Sequence, residues 1–211
     1  MKILVTGGAG YIGSHFVNFL IQNGHEAVVI DNLSRGHREA VPKGISFEEI
    51  DLLDSQALLD AVRIHSPAAV VHFAAYAYVG ESVEHPEIYY QNNVAGSLNL
   101  IRICAQNGIK NFVFSSTCSI YGNPARTPIS EKEPSLPINP YANTKFIIEM
   151  ILKDFETAFG MRYVALRYFN AAGALPEGGV GEDHSPESHL IPLILKTALG
   201  QRAAISMYGT D

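Results

Sequence analysis

Tyr141 and Lys145 are the two residues whose types and spacing point most directly to chemistry. They lie four positions apart at the start of an apolar stretch that reaches about residue 160. On a helix, side chains at this spacing lie on one face, one turn from each other. A phenol loses its proton at about pH 10, and a nearby ammonium lowers that pKa because it favours the phenolate. We therefore predict that Tyr141 has a lowered pKa and takes and returns a proton at neutral pH.

A glycine-rich turn near the beginning of the sequence predicts a dinucleotide-binding site. Its spacing is Gly7-x-x-Gly10-x-x-Gly13, between a short apolar strand and a helix. Such glycines allow backbone N–H groups at a helix N-terminus to approach a pyrophosphate closely. Asp31 follows about 20 residues later at a strand end, where a carboxylate binds the ribose 2′-hydroxyl of NAD and repels the 2′-phosphate of NADP. NAD is therefore favoured, while Arg35 argues the other way.

Strand and helix patterns alternate along the whole chain. After the first strand and helix we predict strands at 26–31, 45–50, 68–73, 111–115 and 162–167, and helices at about 55–64, 86–107, 141–159 and 190–200. Repeated β-α units are typical of an α/β fold with a Rossmann-type, doubly wound parallel sheet. We expect residues 1–170 to form an NAD-binding Rossmann domain and residues 171–211 to begin a smaller substrate-binding region. Two long loops, 122–140 and 171–188, are predicted where ligands bind in this architecture.

Composition and charge restrict the class of partner. The chain is 47% hydrophobic and 17% charged, as globular proteins are. Its net charge of −6 argues against nucleic acid as a partner. Cys104 and Cys118 stand in apolar surroundings, so we expect two buried thiols and no metal centre. No stretch reaches the roughly 18 apolar residues of a membrane span and no signal sequence is recognised, so we expect a cytoplasmic protein without a membrane partner.

A cluster of hydroxyl side chains, Ser115-Ser116-Thr117, follows the strand predicted at 111–115. At that strand end the hydroxyls would face the same crevice as Tyr141 and could relay a proton to it. The glycine turn, the hydroxyl cluster and Tyr-x-x-x-Lys, in this order, resemble the extended short-chain dehydrogenase/reductase family, and most of all its UDP-glucose (UDP-galactose) 4-epimerases. The resemblance is carried by residues 6–15, 31–34, 51–52, 72–75, 79–82, 90–93, 114–117, 121–122, 140–145 and 166–170.

The resemblance implies roles for individual residues. Thr117 and Tyr141 would be catalytic, and Lys145 would hold the nicotinamide ribose and lower the pKa of Tyr141. Thr117, Asn170, His189 and Leu190 would contact a UDP-sugar. The NAD site would comprise Gly7, Gly10, Tyr11, Ile12, Gly13, Asp31, Asn32, Asp51, Leu52, Phe73, Ala74, Ala75, Asn92, Ser115, Tyr141, Lys145 and Tyr168.

The implied reaction is epimerisation at C4 of UDP-glucose or UDP-galactose through a transient 4-keto sugar, with NAD regenerated in each turnover. Dehydratases and decarboxylases of the same family carry an acidic residue just before an aliphatic-Tyr-Gly sequence. Here Cys118 and Ser119 stand there, which favours simple epimerisation. A catalytically silent NAD-binding fragment is a further alternative.

Two departures from the family pattern bear on the substrate. A lysine that often follows Ala-Ala is absent, and Tyr76-Ala77-Tyr78 is more similar to exopolysaccharide-type and plant pentose epimerases, so UDP-xylose and UDP-arabinose are the second substrate pair. His189 stands where an asparagine is common, and a packed histidine is an equal alternative to a substrate contact.

Two further expectations concern assembly and length. Apolar residues surround much of the helix predicted at 141–159, so one side can pack on the sheet and another on a second subunit. The resemblance implies a homodimer, with cover by further C-terminal sequence as the alternative. Family members continue past Tyr208-Gly209, so we expect the 211 residues to be a fragment or a truncated product.

Overall fold

The computed structural model describes residues 1–184, 187, 189–207 and 209. The chain divides into two compact units, Met1–Asn170 and Ala171–Asp211. Residues 185, 186 and 188 of the predicted loop 171–188 lie outside the described residues, as do residues 208, 210 and 211. Within the described ranges, no helix has the length and apolar character needed to cross a membrane.

Six parallel strands form the centre of the first unit. They are β1 (Lys2–Thr6), β2 (Glu26–Asp31), β3 (Ser46–Glu49), β4 (Ala69–His72), β5 (Asn111–Ser115) and β6 (Arg162–Leu166). Their order across the sheet is β3-β2-β1-β4-β5-β6, so the direction of winding reverses between β1 and β4. The predicted α/β fold with a doubly wound parallel sheet is confirmed. Ligands bind in such sheets at the carboxyl ends of the strands beside this reversal.

Helices connect the strands. Those of the first unit are α1 (Tyr11–Gln22), α2 (Ser55–His65), α3 (Val79–Glu84), α4 (Pro86–Tyr89), α5 (Gly96–Gln106) and α6 (Pro140–Phe159). A π-helical turn, Tyr90–Ala95, joins α4 to α5, and a 3-10 helix, Cys118–Tyr121, follows β5. The long helix predicted over 86–107 is present as a continuous helical stretch from Pro86 to Gln106, but its middle widens into the π turn, where Asn93 is buried and bonded to other segments. The second unit contains α7 (Leu190–Ala198).

The core has two parts, one on each face of the sheet. Leu4 belongs to one cluster, together with Phe112 and Phe114, whereas its neighbours Ile3 and Val5 belong to the other. Successive side chains of a strand point to opposite faces, so β1 is covered on both sides, as expected for a central parallel strand.

The two cysteines differ in burial. Cys104 is fully buried in the first cluster, where burial raises the pKa of its thiol to about 12. The prediction that the second thiol is also buried is wrong. Cys118 is only partly buried, because it is the first residue of the 3-10 helix that follows β5.

Candidate active site

Helix α6 places Tyr141 in its first turn. The Asn139 side chain accepts a hydrogen bond of 2.8 Å from the backbone N–H of Ala142, and Pro140 is the first helical residue. Both features are typical of helix N-termini, so the sequence itself determines where the helix begins. Tyr141 is thereby held at one end of α6, one turn before Lys145.

Lys145 is almost completely buried, with 3% of its surface exposed. Its Nζ donates a hydrogen bond of 2.8 Å to the carbonyl oxygen of Ser115, at the carboxyl end of β5. Nζ also lies 5.0 Å from the ring centre of Phe114 and 5.9 Å from that of Tyr141. Burial lowers the pKa of Lys145 to about 7, because removal from water disfavours the charged form. The ammonium is therefore close to its titration point at neutral pH.

The prediction of a lowered pKa for Tyr141 is wrong for the protein as described. Burial raises the pKa of Tyr141 to about 12, and a hydrogen bond with Thr117 offsets only part of that rise. Burial also disfavours the charged form of Lys145, so the pair lacks the fixed positive charge that the prediction assumed.

The hydroxyl cluster after β5 separates into three environments. Ser115 shares a short hydrogen bond with the hydroxyl of Tyr168. Ser116 instead donates to a carboxylate oxygen of Glu149 at 2.5 Å. Thr117 lies close enough to Tyr141 to offset part of the rise that burial causes in the pKa of its phenol, and the Thr117 hydroxyl accepts a hydrogen bond from the N–H of Ser119 at 3.1 Å. Of these three hydroxyls, Thr117 is therefore the candidate for proton exchange with Tyr141.

The glycine turn after β1 leaves no room for side chains. Gly7 has φ +72°, and a Cβ there would lie 2.4 Å from the backbone nitrogen of Ala74. A Cβ on Gly13 would lie 2.1 Å from the carbonyl oxygen of Gly7. Helix α1 begins at Tyr11 with Gly10 as its N-cap and no capping side chain. This close-packed helix N-terminus without a side-chain cap is the arrangement that binds pyrophosphate.

Asp31 connects the end of β2 to the glycine turn. Its carboxylate accepts hydrogen bonds from the N–H groups of Ala9 at 3.0 Å and Leu33 at 2.9 Å. Burial raises the pKa of Asp31, and these two bonds oppose the rise. Next to it, the Asn32 amide donates to the carboxylate of Asp51 at 2.9 Å. Asp31, predicted to hold the ribose, and Asn32 and Asp51, predicted for the NAD site, therefore lie at the carboxyl-end edge of the sheet.

A cavity of about 100 Å³ lies between the carboxyl ends of β1, β2 and β4. Among the predicted NAD residues it is lined by Gly7, Gly10, Asp31, Asn32, Leu52, Phe73, Ala74, Ala75 and Asn92. It is also lined by residues that were not predicted for the site, including Ser34, Arg35 and Tyr76. Tyr11, Ile12, Gly13 and Asp51 belong to the segments beside this cavity. Ser115, Tyr141, Lys145 and Tyr168, also predicted for the NAD site, lie together in a second cluster.

Residues 3–211 match the NAD dependent epimerase/dehydratase family. The chain belongs to this family. The UDP-glucose 4-epimerase of Halalkalibacterium halodurans is 50% identical over 211 residues, which are 100% of this chain and 63% of that protein. The UDP-glucose 4-epimerase of Rhizobium meliloti is 51% identical over 210 residues, covering 100% of this chain and 64% of that protein. The chain therefore spans slightly less than two thirds of the length of these relatives.

A solved structure agrees with the sequence matches. The UDP-glucose 4-epimerase from Brucella ovis in complex with NAD superposes with a TM-score of 0.96 and 50% identity, over 99% of this chain and 64% of that one. The family resemblance drawn from the sequence is confirmed.

In this member of the epimerase/dehydratase family, helix α6 is held by a partly buried ion pair that the sequence did not reveal. Glu149, on α6, receives two hydrogen bonds from Arg167, of 3.0 and 2.5 Å. Arg167 also donates to the Tyr121 hydroxyl at 2.8 Å. Glu149 lies one turn beyond Lys145 on the buried face of α6. A carboxylate at such a position needs a partner, and this is the sequence feature that could have indicated the ion pair.

Asn93 is a second structural link that was missed. Its amide oxygen accepts from the N–H of Tyr76 at 2.8 Å. Its amide nitrogen donates to the Tyr76 carbonyl at 3.0 Å and to the Thr144 hydroxyl at 3.1 Å. The π turn thus joins a wall of the cavity to the first turns of α6. The predicted Asn92 donates to the Asn93 amide oxygen at 2.9 Å.

The predicted substrate residues fall in both units. Asn170 is exposed at the end of the first unit. In the second unit, His189 is the N-cap of α7 and Leu190 its first residue. Glu182, His184, Glu187 and His189 form a group whose potential metal-binding atoms lie within 4.8 Å of one another. Nδ1 of His189 lies 2.9 Å from a carboxylate oxygen of Glu182 and 3.1 Å from one of Glu187, so these side chains contact one another.

Proposed function

We propose that the protein catalyses NAD-dependent epimerisation at C4 of a UDP-sugar, with UDP-glucose and UDP-galactose as the leading substrate pair. The relatives described above carry this activity in their names, and half of their aligned residues are identical to this chain. The observation that carries the proposal is the proximity of Tyr141 to Thr117, which offsets part of the rise that burial causes in the pKa of Tyr141, and to buried Lys145, whose Nζ lies 5.9 Å from the Tyr141 ring centre. This cluster follows β5, at the same edge of the parallel sheet as the glycine turn.

The residues around the cavity fit NAD. The backbone at Gly7 and Gly13 admits no side chain, so a pyrophosphate could approach the start of α1 closely. Asp31 would hold the ribose of the adenosine half. We assign residues 1–170 to NAD binding and residues 171–211 to part of a substrate-binding region, in which His189 and Leu190 are candidate contacts together with Asn170.

Proton transfer is the task that we assign to Tyr141. Bound NAD supplies the acceptor, and later the donor, of the hydride at sugar C4. Tyr141, with a pKa of about 12, is protonated at neutral pH and has to become a phenolate before it can accept a proton. A positively charged nicotinamide ring and a charged Lys145 both favour the phenolate. The phenolate would then take the 4-hydroxyl proton, directly or through Thr117, and return it after the 4-keto sugar has presented its other face.

The neighbourhood of Thr117 supports epimerisation over dehydration or decarboxylation. Cys118 and Ser119 offer no carboxylate for a second proton transfer. Glu149, the carboxylate that binds Ser116, is already held by two hydrogen bonds from Arg167. The proton chemistry of the site therefore rests on Tyr141 and Thr117.

A homodimer is the partner arrangement that we propose. Met150 and Phe159 on α6 have 45% and 47% of their surface exposed, and Leu98 on α5 has 39%. Burial of large apolar side chains is favourable, so a second copy that covers α5 and α6 would be stabilised. Sedimentation velocity of the wild type and of Met150→Glu tests this, because a dimer through this face should dissociate in the variant.

The function is tested by incubating the protein separately with UDP-galactose, UDP-xylose and UDP-glucuronate and separating the products. We expect UDP-glucose from UDP-galactose, with NAD remaining bound. Conversion of UDP-xylose alone would support the pentose alternative, which the Tyr76-Ala77-Tyr78 sequence suggests. Release of CO₂ or formation of a 4-keto-6-deoxy sugar would contradict epimerisation. NAD binding without turnover of any of the three substrates would support the alternative of a catalytically silent NAD-binding fragment.

A further inference from the structure

Arg35 reaches from one wall of the cavity to the other. It belongs to the segment that follows β2 and lines the cavity beside Asp31. Its guanidinium carbon lies 4.9 Å from the ring centre of Tyr76 and 5.0 Å from that of Tyr78, both on the segment that follows β4. Its Nη2 is 2.6 Å from a carboxylate oxygen of Glu81, on α3. One side chain therefore joins the segment that follows β2 to the segment that follows β4.

The far end of this connection is anchored in the core. The hydroxyl of Tyr89, a residue with 0% of its surface exposed, donates to the second carboxylate oxygen of Glu81 at 2.6 Å. The same hydroxyl accepts from the N–H of Tyr78 at 3.0 Å. Glu81 and Tyr78 are thus fixed in position, and the guanidinium of Arg35 meets a preformed receptor.

Arg35 is also placed at a particular part of the cavity. Asp31 is the carboxylate suited to the ribose of the adenosine half, and Arg35 follows it by one short turn of loop. The cavity measures about 100 Å³, whereas pockets that enclose small-molecule ligands measure roughly 300–1,000 Å³. This cavity alone is therefore smaller than a site that encloses a small-molecule ligand, and Arg35 joins its two walls.

We propose that Arg35, Tyr76, Tyr78 and Glu81 form a clasp over the adenosine end of the NAD site, which has to open for the cofactor to enter or leave. The clasp rests on the NAD binding proposed above and concerns how long the cofactor stays bound. Opening breaks one ion pair and two cation–π contacts at partly exposed positions. Such contacts together slow an exchange process by about 10-fold. An epimerase that regenerates NAD within each turnover benefits from slow release, because the reduced cofactor then stays with its keto sugar.

The test is the dissociation rate of NAD, measured by rapid dilution of the NAD-loaded protein into an excess of a fluorescent NAD analogue. Arg35→Gln, which removes the ion pair and both cation–π contacts, should increase the rate by about 10-fold, and Glu81→Gln, which removes the ion pair alone, should increase it by a smaller factor. The double variant should be no faster than Arg35→Gln, because Glu81 acts on the cofactor only through Arg35. Arg38→Gln is the matched control, since Arg38 lies on the same segment and stacks on Phe47, with 4.3 Å to the ring centre, away from the cavity lining.

Three results would overturn the clasp. An unchanged rate in Arg35→Gln, additive effects in the double variant, or an equal increase in Arg38→Gln would each show that the Arg35–Glu81 contact does not govern release. These outcomes differ from failure of the proposed function, in which the wild type itself would bind no NAD and the clasp would be overturned with it. Thermal melting of each variant establishes that the fold is retained.

Discussion

Replacing Lys145 by methionine should stabilise the fold at neutral pH and remove a pH dependence that the wild type shows. Burial lowers the pKa of Lys145 to about 7 in the folded protein, from 10.5. Between these two values the unfolded chain binds more protons than the folded one, so the free energy of unfolding rises with pH. Methionine fills a similar volume without a charge, so the variant should lack this rise.

The size of the effect follows from the two pKa values. One pKa unit corresponds to about 1.4 kcal/mol, so the buried ammonium lowers stability by about 4 kcal/mol at pH 7 relative to a neutral amine. Between about pH 7.5 and 9, the wild type should gain about 2 kcal/mol more than Lys145→Met. Below pH 7 the full penalty applies, and above the unfolded pKa it disappears.

Urea denaturation at several pH values measures this difference. Cys104, whose raised pKa makes stability fall at alkaline pH, is present in both proteins and cancels in the comparison. Lys153→Met is the control, because Lys153 is exposed on the same helix. Parallel pH profiles for the wild type and Lys145→Met would refute the inference that burial neutralises this lysine.

Three other substitutions test the site. Tyr141→Phe should abolish turnover and leave NAD binding and thermal stability nearly unchanged, as measured by product separation and melting; residual activity above one hundredth would exclude Tyr141 as the proton-transfer group. Glu149→Gln should lower the free energy of unfolding by about 3 kcal/mol, because it leaves the Arg167 guanidinium without its carboxylate; in urea titrations, exposed Glu156→Gln should not. Asn93→Ala should cost about 2 kcal/mol, because it removes the partners of the Tyr76 backbone, whereas Asn107→Ala, which loses one helix-end bond, should cost much less; equal losses would contradict the linking role.

Local patterns in the sequence were sufficient to predict the order of strands and helices and the doubly wound parallel sheet. The glycine turn and the predicted strands 26–31 and 111–115 have the same bounds in the structure, because period and turn chemistry depend only on neighbouring residues. The shared face of Tyr141 and Lys145 likewise follows from a spacing of four on one helix. The π turn within the predicted helix 86–107 could not be predicted from the sequence, because Asn93 holds it through hydrogen bonds to residues 17 and 51 positions away.

The electrostatics of the site could be predicted only in part. The sequence placed an ammonium near a phenol, and proximity alone suggested a lowered pKa for Tyr141. How far each group is removed from water depends on the whole fold, and burial proved to be the larger effect on both Tyr141 and Lys145. The partners of Arg35 and Glu149 lie 46 and 18 positions away, which no local pattern encodes.

Strand β6 has a consequence for how the protein behaves at high concentration. Among the strands of the described residues it is the last in the sheet order, and Val164 and Leu166 have 54% and 40% of their surface exposed. An exposed apolar edge strand is a template for pairing with another β-strand, which leads to aggregation or strand exchange. Arg162 is the one charged residue of the strand, and its charge opposes pairing of β6 with another strand. If Val164→Lys abolishes self-association, the association occurs by pairing of β6 with another strand. Light scattering of Val164→Lys and of Met150→Glu distinguishes this strand pairing from a dimer formed through the helices.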